Sequence, residues 1–337
     1  MGAMLKRINW EITYRCNLGC GFCFLKSARK LNAPGKELNF EQVKSFIDSA
    51  AGPKIDFYIT GGEPFARPDC LDILELVKAR GGHCGVNTNG TLLDERKIRR
   101  LAAIGLDYVI FSLHGPPRIH DALCGKSGAF ARATRNLRLL SSLARPGTEI
   151  MVSCTLNEKN YRSMDGFFRL CRELGARRVL FEHLQFLSRA EAKAHAGAWK
   201  TFSPEPCRII TPCCSTRQKI DVRELARQIE ALARLGYQGT HFDIRPRLSP
   251  AGLEQWYRGS VPIQGSCRSV RDVMVVAPNG DARICQLFDK SLGKDAAAGW
   301  KKRWLDKDAK LFRKKTSKGI FPGCARCCQR FDIFRYY

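Results

Sequence analysis

The segment INWEITYRCNLGCGFC, residues 8–23, joins an apolar run to a loop rich in cysteine. The first half is rich in β-forming residues and predicts a buried strand. The second half places Cys16, Cys20 and Cys23 on one loop directly after that strand. Three thiolates predict metal ligation, because a 4Fe-4S cluster held by three cysteines keeps one iron open to another ligand. Phe22 is expected to shield such a cluster.

Outward from this segment, a strand and helix rhythm continues to about residue 187. The predicted strands are INWEITYRC, KIDFYITGGEP, HCGVNTNG, YVIFSLHG, TEIMVSCTL and RRVLFEHLQF. The predicted helices include FEQVKSFIDSA, CLDILELVKARG, ERKIRRLAAIG, AFARATRNLRLLSSLA and SMDGFFRLCRELGA. Parallel strands joined by right-handed helical crossovers predict an α/β fold, a partial (β/α)6 barrel of the TIM type. Functional residues are then expected at the carboxyl ends of the strands.

The chain is predicted to divide into three parts. Residues 1–187 form the partial barrel, and residues 188–266 form a bridging segment around one helix, DVRELARQIEALARLG. Residues 267–337 form a small α+β module that carries cysteines. Its stretch VVAPNGDARIC predicts a hairpin, because Pro278, Asn279, Gly280 and Asp281 favour a turn that returns Cys285 toward Cys267.

Composition narrows the class of protein. The 337 residues are 44% hydrophobic, enough for a substantial core, and they include no apolar run long enough to span a membrane. We therefore expect a soluble cytoplasmic protein without a signal peptide. Its 16 cysteines gather toward the two ends, which favours metal ligation over a disulfide framework. The net charge of +25 indicates either an anionic partner, such as an acidic peptide or a nucleic acid, or simply a basic surface.

The motif CxxxCxxC after the first strand, followed by GGEP after the second, resembles the radical S-adenosylmethionine (radical SAM) superfamily. The resemblance implies that S-adenosylmethionine binds the open iron and is reductively cleaved to methionine and a 5′-deoxyadenosyl radical. Gly61 and Gly62 are expected to let the backbone approach a ligand, and Glu63, before Pro64, to accept an ammonium group. Zinc is the alternative for the three cysteines, although structural zinc sites usually have four ligands.

Polar residues at the later strand ends extend the predicted site. They resemble the ribose and carboxylate contacts of the family, although each alone is equally explained as a strand-terminating turn. The predicted cofactor contacts are Asn87, Thr88, Asn89, Ser112, Ser153 and Asn157. On the sixth strand, the candidates for catalysis or substrate contact are Glu182, His183 and Gln185, with structural hydrogen bonding as the alternative. Arg245 and Arg247 are candidates for binding an anionic group.

Four C-terminal cysteines have the spacing of a second metal centre: Cys267, Cys285, Cys324 and Cys327. They resemble the twitch domain, a shortened SPASM domain, which implies one auxiliary 4Fe-4S cluster and therefore two clusters in all. The chain stops nine residues after Cys328 and so departs from the full SPASM pattern. A zinc site with the same ligands is the alternative, and Cys328 is an alternative ligand to Cys327.

The remaining cysteines fall into two groups. Cys207, Cys213 and Cys214 lie in the bridging segment and are either buried thiols or hydrogen-atom donors to a substrate radical. Those inside apolar strand or helix patterns are predicted to be core residues: Cys70, Cys84, Cys124, Cys154 and Cys171.

The resemblance implies an oxidoreductase or maturase that abstracts a substrate hydrogen and modifies a peptide or small metabolite by oxidation, epimerisation or cross-linking. Flavodoxin or ferredoxin is the expected reductant, and the charge favours an anionic substrate. An auxiliary cluster with four cysteine ligands has no open iron, so electron transfer is its expected role. The alternatives are an enzyme that modifies RNA or a nucleotide, and a non-catalytic iron-sulfur protein. The basic stretch 300–318 is the part that most resembles a nucleic-acid contact.

Overall fold

A computed structural model of the chain describes residues 4–26, 37–207, 218–235, 239–262, 265–293 and 296–330. Within these ranges the strands are β1 (Arg7–Thr13), β2 (Asp56–Gly61), β3 (His83–Thr88), β4 (Tyr108–Ser112), β5 (Glu149–Leu156), β6 (Arg178–His183), β7 (His241–Arg245), β8 (Val273–Val276), β9 (Ala282–Arg283) and β10 (Ser291–Gly293). They form one sheet in the order β10-β9-β8-β1-β2-β3-β4-β5-β6-β7. Strands β1 to β8 pair in parallel, and β9 and β10 run antiparallel.

The helices alternate with the parallel strands and continue into the C-terminal part. They are α1 (Phe40–Ala50), α2 (Cys70–Ala79), α3 (Glu95–Ile104), α4 (Pro117–Cys124), α5 (Ala129–Leu143), α6 (Met164–Glu173), α7 (Arg189–Lys200), α8 (Val222–Arg234), α9 (Pro250–Tyr257), α10 (Ser269–Asp272), α11 (Ala296–Trp304) and α12 (Lys307–Lys318). Short 3-10 turns lie at Pro64–Ala66, Tyr161–Ser163, Pro322–Cys324 and Cys328–Arg330. None of the helices in the described ranges combines the length and apolar character that a membrane span requires.

Local sequence explains where many of these helices begin and end. A capping box opens α1, because the Asn39 side chain accepts from Gln42 N while the Gln42 side chain accepts from Asn39 N. The Asp94 side chain caps α3 by accepting from Lys97 N, and Gly105 ends that helix in the left-handed conformation at φ 69°. Such caps supply partners for backbone groups that the helix itself leaves unpaired.

The α/β fold with an open, mostly parallel sheet is confirmed, and the sheet extends beyond the six predicted strands. Strand β7 comes from the bridging segment and pairs with β6, where Glu182 lies beside Arg245. Strand β8 comes from the cysteine module and pairs with β1, where Arg7 lies beside Val273. The bridging segment also holds α7 and α9 besides its one predicted helix. The five-residue strand β7, which is followed by the proline-rich segment PRLSP, carries too short a periodic signal to be recognised in advance.

The main hydrophobic core lies between the sheet and its helices. Trp10 on β1 packs edge-on against Phe46 of α1 with ring centroids 4.9 Å apart, and Phe57 of β2 completes this aromatic group. All three side chains are buried. The bridging segment and the cysteine module share a second aromatic group, in which the ring of Trp199 on α7 lies 4.9 Å from that of Phe288. The proposed three-part division of the chain is therefore crossed by continuous packing.

Paired polar side chains form a floor at the amino ends of the strands, while the sheet itself stays open. The Arg7 guanidinium donates to the Asp56 carboxylate and to Tyr108 Oη, the latter at 3.2 Å. His83 Nδ1 lies 2.9 Å from Asp56 Oδ1. Gly85 makes room for this floor, since a Cβ there would approach the Tyr108 ring to 2.0 Å. These groups satisfy one another, so the opposite end of the barrel is the one that can receive a ligand.

Candidate active site and cysteine groups

A cavity of about 570 Å³ opens at the carboxyl ends of the parallel strands. The cysteine loop after β1 lies on one side, and residues from the C-terminal module lie on another. Of the residues predicted from the sequence, the cavity wall brings together Cys16, Cys20, Cys23, Gly61, Gly62, Asn87, Thr88, Asn89, Ser112, Ser153, Asn157, Glu182, His183, Gln185 and Cys327. Glu63, Pro64, Cys267, Cys285 and Cys324 are not part of that wall.

Two neighbouring segments hold the cysteine loop in place. At the end of α4, the carbonyl of Cys124 accepts from Gly19 N at 3.0 Å and that of Leu123 accepts from Gly21 N at 3.1 Å. On the other side, Asn17 Nδ2 donates to Thr91 Oγ1 at 2.7 Å. The loop is therefore tied both to the segment after β3 and to the helix after β4.

The surroundings of the Cys16 sulfur suit a thiolate ligand of a cluster. Leu18 N donates to Cys16 Sγ at 3.5 Å, and Asn89 Nδ2 lies 3.9 Å from the same sulfur. Such donors stabilise thiolate charge and tune an iron-sulfur centre. In the described part of the chain, no three Cys, His, Asp or Glu side chains are arranged around a single metal-ion position. A cubane cluster spreads its ligands around several irons, so the three thiols on one loop fit that group by their chemistry and placement.

The glycine pair after β2 packs against the end of β1. A Cβ on Gly61 would approach Thr13 O to 2.2 Å, and one on Gly62 would approach Arg15 O to the same distance. Gly62 N donates to Thr13 O at 2.8 Å, and Gly61 has φ of 129°. Only glycine permits this approach. The pair therefore aligns the start of the cysteine loop with β2, in addition to lining the cavity.

Glu63 is not among the residues of the cavity wall, and its contact with an ammonium group stays a prediction. The side chain is fully buried and accepts from Thr88 Oγ1 and Asn89 N, each at 2.7 Å, and from Phe65 N at 3.2 Å. Burial raises the pKa of this carboxyl to about 7, and the hydrogen bond from Asn89 N opposes that rise. Glu63 thus holds the end of β3, which carries the cavity-lining Asn89.

The predicted polar strand ends form two hydrogen-bonded groups in the cavity wall. In the first, Asn87 Nδ2 donates to Tyr58 Oη at 2.9 Å and Ser112 Oγ donates to Asn87 Oδ1 at 2.9 Å. In the second, Ser153 Oγ donates to Glu182 Oε2 at 3.2 Å. These groups lie on β2 to β6, so successive strands present polar atoms to one ligand space.

Three other predicted residues have structural partners. His183 Nδ1 lies 2.6 Å from Tyr257 Oη, and burial lowers the pKa of this histidine to about 4. Gln185 Nε2 donates to Gly323 O at 3.3 Å, which ties β6 to the C-terminal module. Asn157 Oδ1 accepts from Lys159 N at 3.0 Å within its own turn. Among the arginine candidates, Arg245 is buried beside Glu182 and Arg247 is exposed.

Sequence reasoning missed the polar residues of β1, namely Asn9 and Glu11, which also line the cavity. Their signal was the alternation of polar with apolar residues along RINWEIT. The buried Arg283 side chain, on β9, donates to the Glu11 carboxylate, which also accepts from Tyr14 Oη at 2.7 Å. This ion pair joins the C-terminal hairpin to the first strand.

The four predicted C-terminal ligands lie near one another. Burial raises the pKa of the Cys324 thiol well above its ordinary value, and Cys285, Cys327 and Cys267 raise it further, in that order. Burial likewise raises the pKa of Cys327 to about 12, with Cys267 as the next cause. Leu287 N donates to Cys285 Sγ at 3.5 Å. The predicted hairpin forms, with Val275 opposite Arg283.

The two adjacent cysteines, Cys327 and Cys328, have different neighbours. After burial, the group that most raises the pKa of Cys328 is Glu182, which lies on β6. Cys328 lines the cavity. It is not among the cysteines that raise the pKa of Cys324. Cys207 Sγ lies 3.5 Å from Leu287 O, close to Cys285. The other two cysteines of the bridging segment, Cys213 and Cys214, lie outside the described residues.

Of the five cysteines predicted as core, four are fully buried away from the cavity: Cys70, Cys84, Cys154 and Cys171. Cys124 is also buried, but it lies at the cavity wall and packs with Leu18, Cys16 and Cys20. A hydrogen bond with the Cys20 sulfur, followed by burial, raises the pKa of the Cys124 thiol. The apolar pattern of IHDALC gave no sign of this contact, because it joins residues about a hundred positions apart.

The open parallel sheet thus carries three cysteines and a glycine pair at one cavity. Residues 10–168, just under half of the chain, match the family model described as Radical SAM superfamily.

Curated relatives match about half of the chain. Fe-coproporphyrin III synthase of Methanosarcina barkeri is 33% identical over 183 residues, which cover 53% of this chain and 44% of the relative. Mycofactocin maturase MftC of Mycobacterium tuberculosis is 35% identical over 174 residues, which cover 50% of this chain and 42% of the relative. The chain thus spans less than half the length of these relatives.

Solved structures support the fold over a longer span. Streptococcus suis SuiB bound to its precursor peptide SuiA matches with a TM-score of 0.63 at 16% identity. The match covers 96% of this chain and 71% of SuiB. At this identity the likeness concerns the fold alone, and it includes the C-terminal part of the chain.

Proposed function

We propose that this protein is a radical SAM enzyme that cleaves S-adenosylmethionine and uses the resulting radical to abstract a hydrogen atom from a peptide. The observation that carries the proposal is the convergence of the three-cysteine loop, the glycine pair and the polar strand ends on one cavity. The residues proposed to hold the first 4Fe-4S cluster are Cys16, Cys20 and Cys23. When bound and reduced, that cluster supplies the electron that cleaves the sulfonium of S-adenosylmethionine.

The chain's own residues are proposed to bind and orient S-adenosylmethionine. Gly61 and Gly62 present backbone groups beside the cysteine loop, where the amino and carboxylate groups of the ligand are expected. Asn87 and Ser112 are already hydrogen-bonded to each other at 2.9 Å and offer remaining polar atoms to a ribose. Glu63 is proposed as a positioning residue, because its three accepted hydrogen bonds hold Thr88 and Asn89 at the wall.

We assign a second 4Fe-4S cluster to Cys267, Cys285, Cys324 and Cys327, in a twitch-like module. Their mutual proximity supports this set, and the proximity of Cys328 to Glu182 favours Cys327 as the ligand. Four ligands leave no open iron, so this cluster is proposed to exchange electrons with the substrate radical rather than to bind substrate. Ser153 and Glu182 line the same cavity as Cys20 and Cys327 and are proposed substrate contacts.

A peptide is the proposed substrate because relatives of the domain act on peptides. PqqA peptide cyclase of Ruegeria pomeroyi is 28% identical over 178 residues. The net charge of +25 favours a peptide that carries acidic residues. The proposal also includes a cytoplasmic location and a reductant such as flavodoxin or ferredoxin.

Cleavage of S-adenosylmethionine without any substrate tests the activity. Protein reconstituted with iron and sulfide under anaerobic conditions and reduced with dithionite should release 5′-deoxyadenosine and methionine, measured by chromatography. Cys23→Ala should reduce that release to the background of the cluster-free protein. Cys171→Ala is the matched control, since this buried thiol lies away from the cavity. Equal release from Cys23→Ala and the unmodified protein would exclude the assignment.

A further inference from the structure

The thiol of Cys124 lies directly beside a proposed cluster ligand. Cys124 is the last residue of α4, and Gly125 turns the chain away with φ of 66°. The two backbone hydrogen bonds from Gly19 and Gly21 to the end of α4 place the Cys20 side chain next to this thiol. Cys124 is 1% exposed, whereas Cys20 is partly exposed.

The hydrogen bonds around His120 determine the direction of the contact. The His114 backbone N donates to His120 Nδ1 at 3.0 Å, so Nδ1 carries no proton. A neutral imidazole then has its proton on Nε2. Cys124 Sγ lies 3.5 Å from Nε2 and 3.9 Å from Nδ1, so the sulfur packs beside the ring. Nδ1 already accepts from His114 N, Nε2 carries a proton, and Cys20 as a cluster ligand has none, so the Cys124 S–H is the donor of the contact with Cys20.

The same arrangement is rigid and buried. His114 Nδ1 accepts from Thr155 N at 3.2 Å, and its ring stacks on that of His120 with centroids 5.8 Å apart. Phe22 of the cysteine loop packs edge-on against His114 at 4.8 Å. Burial lowers the pKa of His120 to about 4, which keeps the ring neutral near pH 7. The order of donors and acceptors is thus set by the fold.

We propose that Cys124 donates an S–H hydrogen bond to the Cys20 sulfur and thereby raises the reduction potential of the cluster held by Cys16, Cys20 and Cys23. This inference rests on the proposed function. Reduction adds negative charge to the cluster and its thiolates, and a hydrogen bond to a ligand sulfur stabilises that charge. Cys124 is accordingly a positioning and tuning residue, which touches the ligand sulfur rather than the substrate.

The midpoint potential of the first cluster tests the inference in the full-length holoprotein. Its signal in electron paramagnetic resonance is the one that changes when S-adenosylmethionine is added, because that molecule binds only the open iron. Cys124→Ala should make reduction about tenfold less favourable at a given potential, a shift of about 59 mV to more negative values for one electron. Cys124→Ser retains a donor and should restore most of the shift. Cys171→Ala, which removes a buried thiol elsewhere, should leave the potential unchanged.

The outcomes separate this inference from the proposed function. A failure of the unmodified protein to hold a cluster or to cleave S-adenosylmethionine would refute the function itself. Equal midpoint potentials for Cys124→Ala and the unmodified protein, at equal iron content, would refute only the hydrogen bond. The same conclusion would follow if Cys124→Ala and Cys124→Ser shifted the midpoint potential equally. Cys124→Ala and the bulkier Cys124→Val could both lose the cluster. In that case, a cluster retained in Cys124→Ser supports the hydrogen bond, and a cluster lost in Cys124→Ser contradicts it.

Discussion

The two cysteine groups of this protein differ in what surrounds them. Cys16, Cys20 and Cys23 are partly exposed and together line the cavity. In the C-terminal group Cys324 and Cys327 are buried, Cys267 and Cys285 are partly exposed, and of these four only Cys327 reaches the cavity wall. Three ligands beside an open space suit a cluster that binds another molecule, whereas four cysteine ligands leave no open iron and suit a cluster that carries electrons.

Their structural supports differ as well. The first group lies on one loop, held by the glycine pair after β2 and by the end of α4. The second group is assembled from separate segments, since Cys267 precedes α10 and Cys285 follows β9. Cys324 ends one 3-10 turn, and Cys327 precedes the next. A local loop keeps its ligand spacing through sequence, while an assembled site depends on the packing of the whole module.

Removing each group in turn should produce the largest effects. The unmodified protein should contain about eight irons per chain, and each variant about four. Replacement of Cys16, Cys20 and Cys23 by Ala should also abolish cleavage of S-adenosylmethionine, while Cys324→Ala with Cys327→Ala should retain cleavage in the absence of substrate. Iron analysis and the yield of 5′-deoxyadenosine measure both properties. Stoichiometric zinc beside four irons in the unmodified protein would contradict the second cluster.

Breaking the ion pair that joins the two regions should have the next largest effect. Arg283→Met leaves the buried Glu11 carboxylate without its cation. Loss of one partner of a buried pair costs about 3–5 kcal/mol, which should appear as a lower midpoint in urea denaturation. Glu11→Gln combined with Arg283→Met removes both charges and should recover a large part of that loss. A double variant as unstable as Arg283→Met alone would show that the pair itself contributes little.

A smaller effect is expected from the buried carboxyl that supports the first region. Burial raises the pKa of Glu63 from 4.5 to about 7, so the folded state binds its proton more tightly than the unfolded state. The resulting stability is present below pH 4.5 and is lost as pH rises through 7. Each pKa unit corresponds to about 1.4 kcal/mol, so the free energy of unfolding should fall by about 3 kcal/mol over this range.

Glu63→Gln isolates this contribution because glutamine does not titrate in that range. The unfolding free energy of the unmodified protein, relative to the variant, should fall between pH 4.5 and pH 8, as measured by denaturation at several pH values. Parallel profiles for the two proteins would mean that Glu63 is not protonated in the folded state at low pH.

The smallest effect is expected from the basic surface of α11 and α12. Lys302, Lys310 and Lys314 are exposed there, whereas Arg313 stacks on Trp304 at 3.8 Å and donates to Val270 O. Replacing the three lysines by Gln should weaken binding of a glutamate-rich peptide several-fold at low salt, and less at physiological salt, where charges are screened over about 8 Å. Fluorescence anisotropy with a labelled peptide measures this affinity.

Three exposed arginines on α5 provide the control for that surface: Arg132, Arg135 and Arg138. Their replacement by Gln changes the net charge equally at another place on the molecule. Equal weakening by both triple variants would mean that the overall charge, rather than this surface, attracts the peptide. Tighter binding of a single-stranded RNA than of the peptide would favour the nucleic-acid alternative.

Sequence patterns were sufficient for the features that depend on near neighbours. The alternation of INWEITYRC and the helical period of FEQVKSFIDSA identified β1 and α1, and the second prediction matched the bounds of the helix. The spacing of Cys16, Cys20 and Cys23 identified the loop that now lines the cavity. Secondary structure and short motifs are encoded over a few residues, so they can be read without knowledge of distant contacts.

Contacts between distant segments decided the remaining features. The pairing of β8 with β1, the orientation of Glu63 toward Asn89 and the position of Cys124 beside Cys20 each join residues far apart in the chain. So do the different neighbours of Cys327 and Cys328, although these two residues are adjacent. The sequence shows which residue types are present and how they are spaced, but the packing of strands and helices determines which of them come into contact. Burial and hydrogen bonding act through space rather than along the chain.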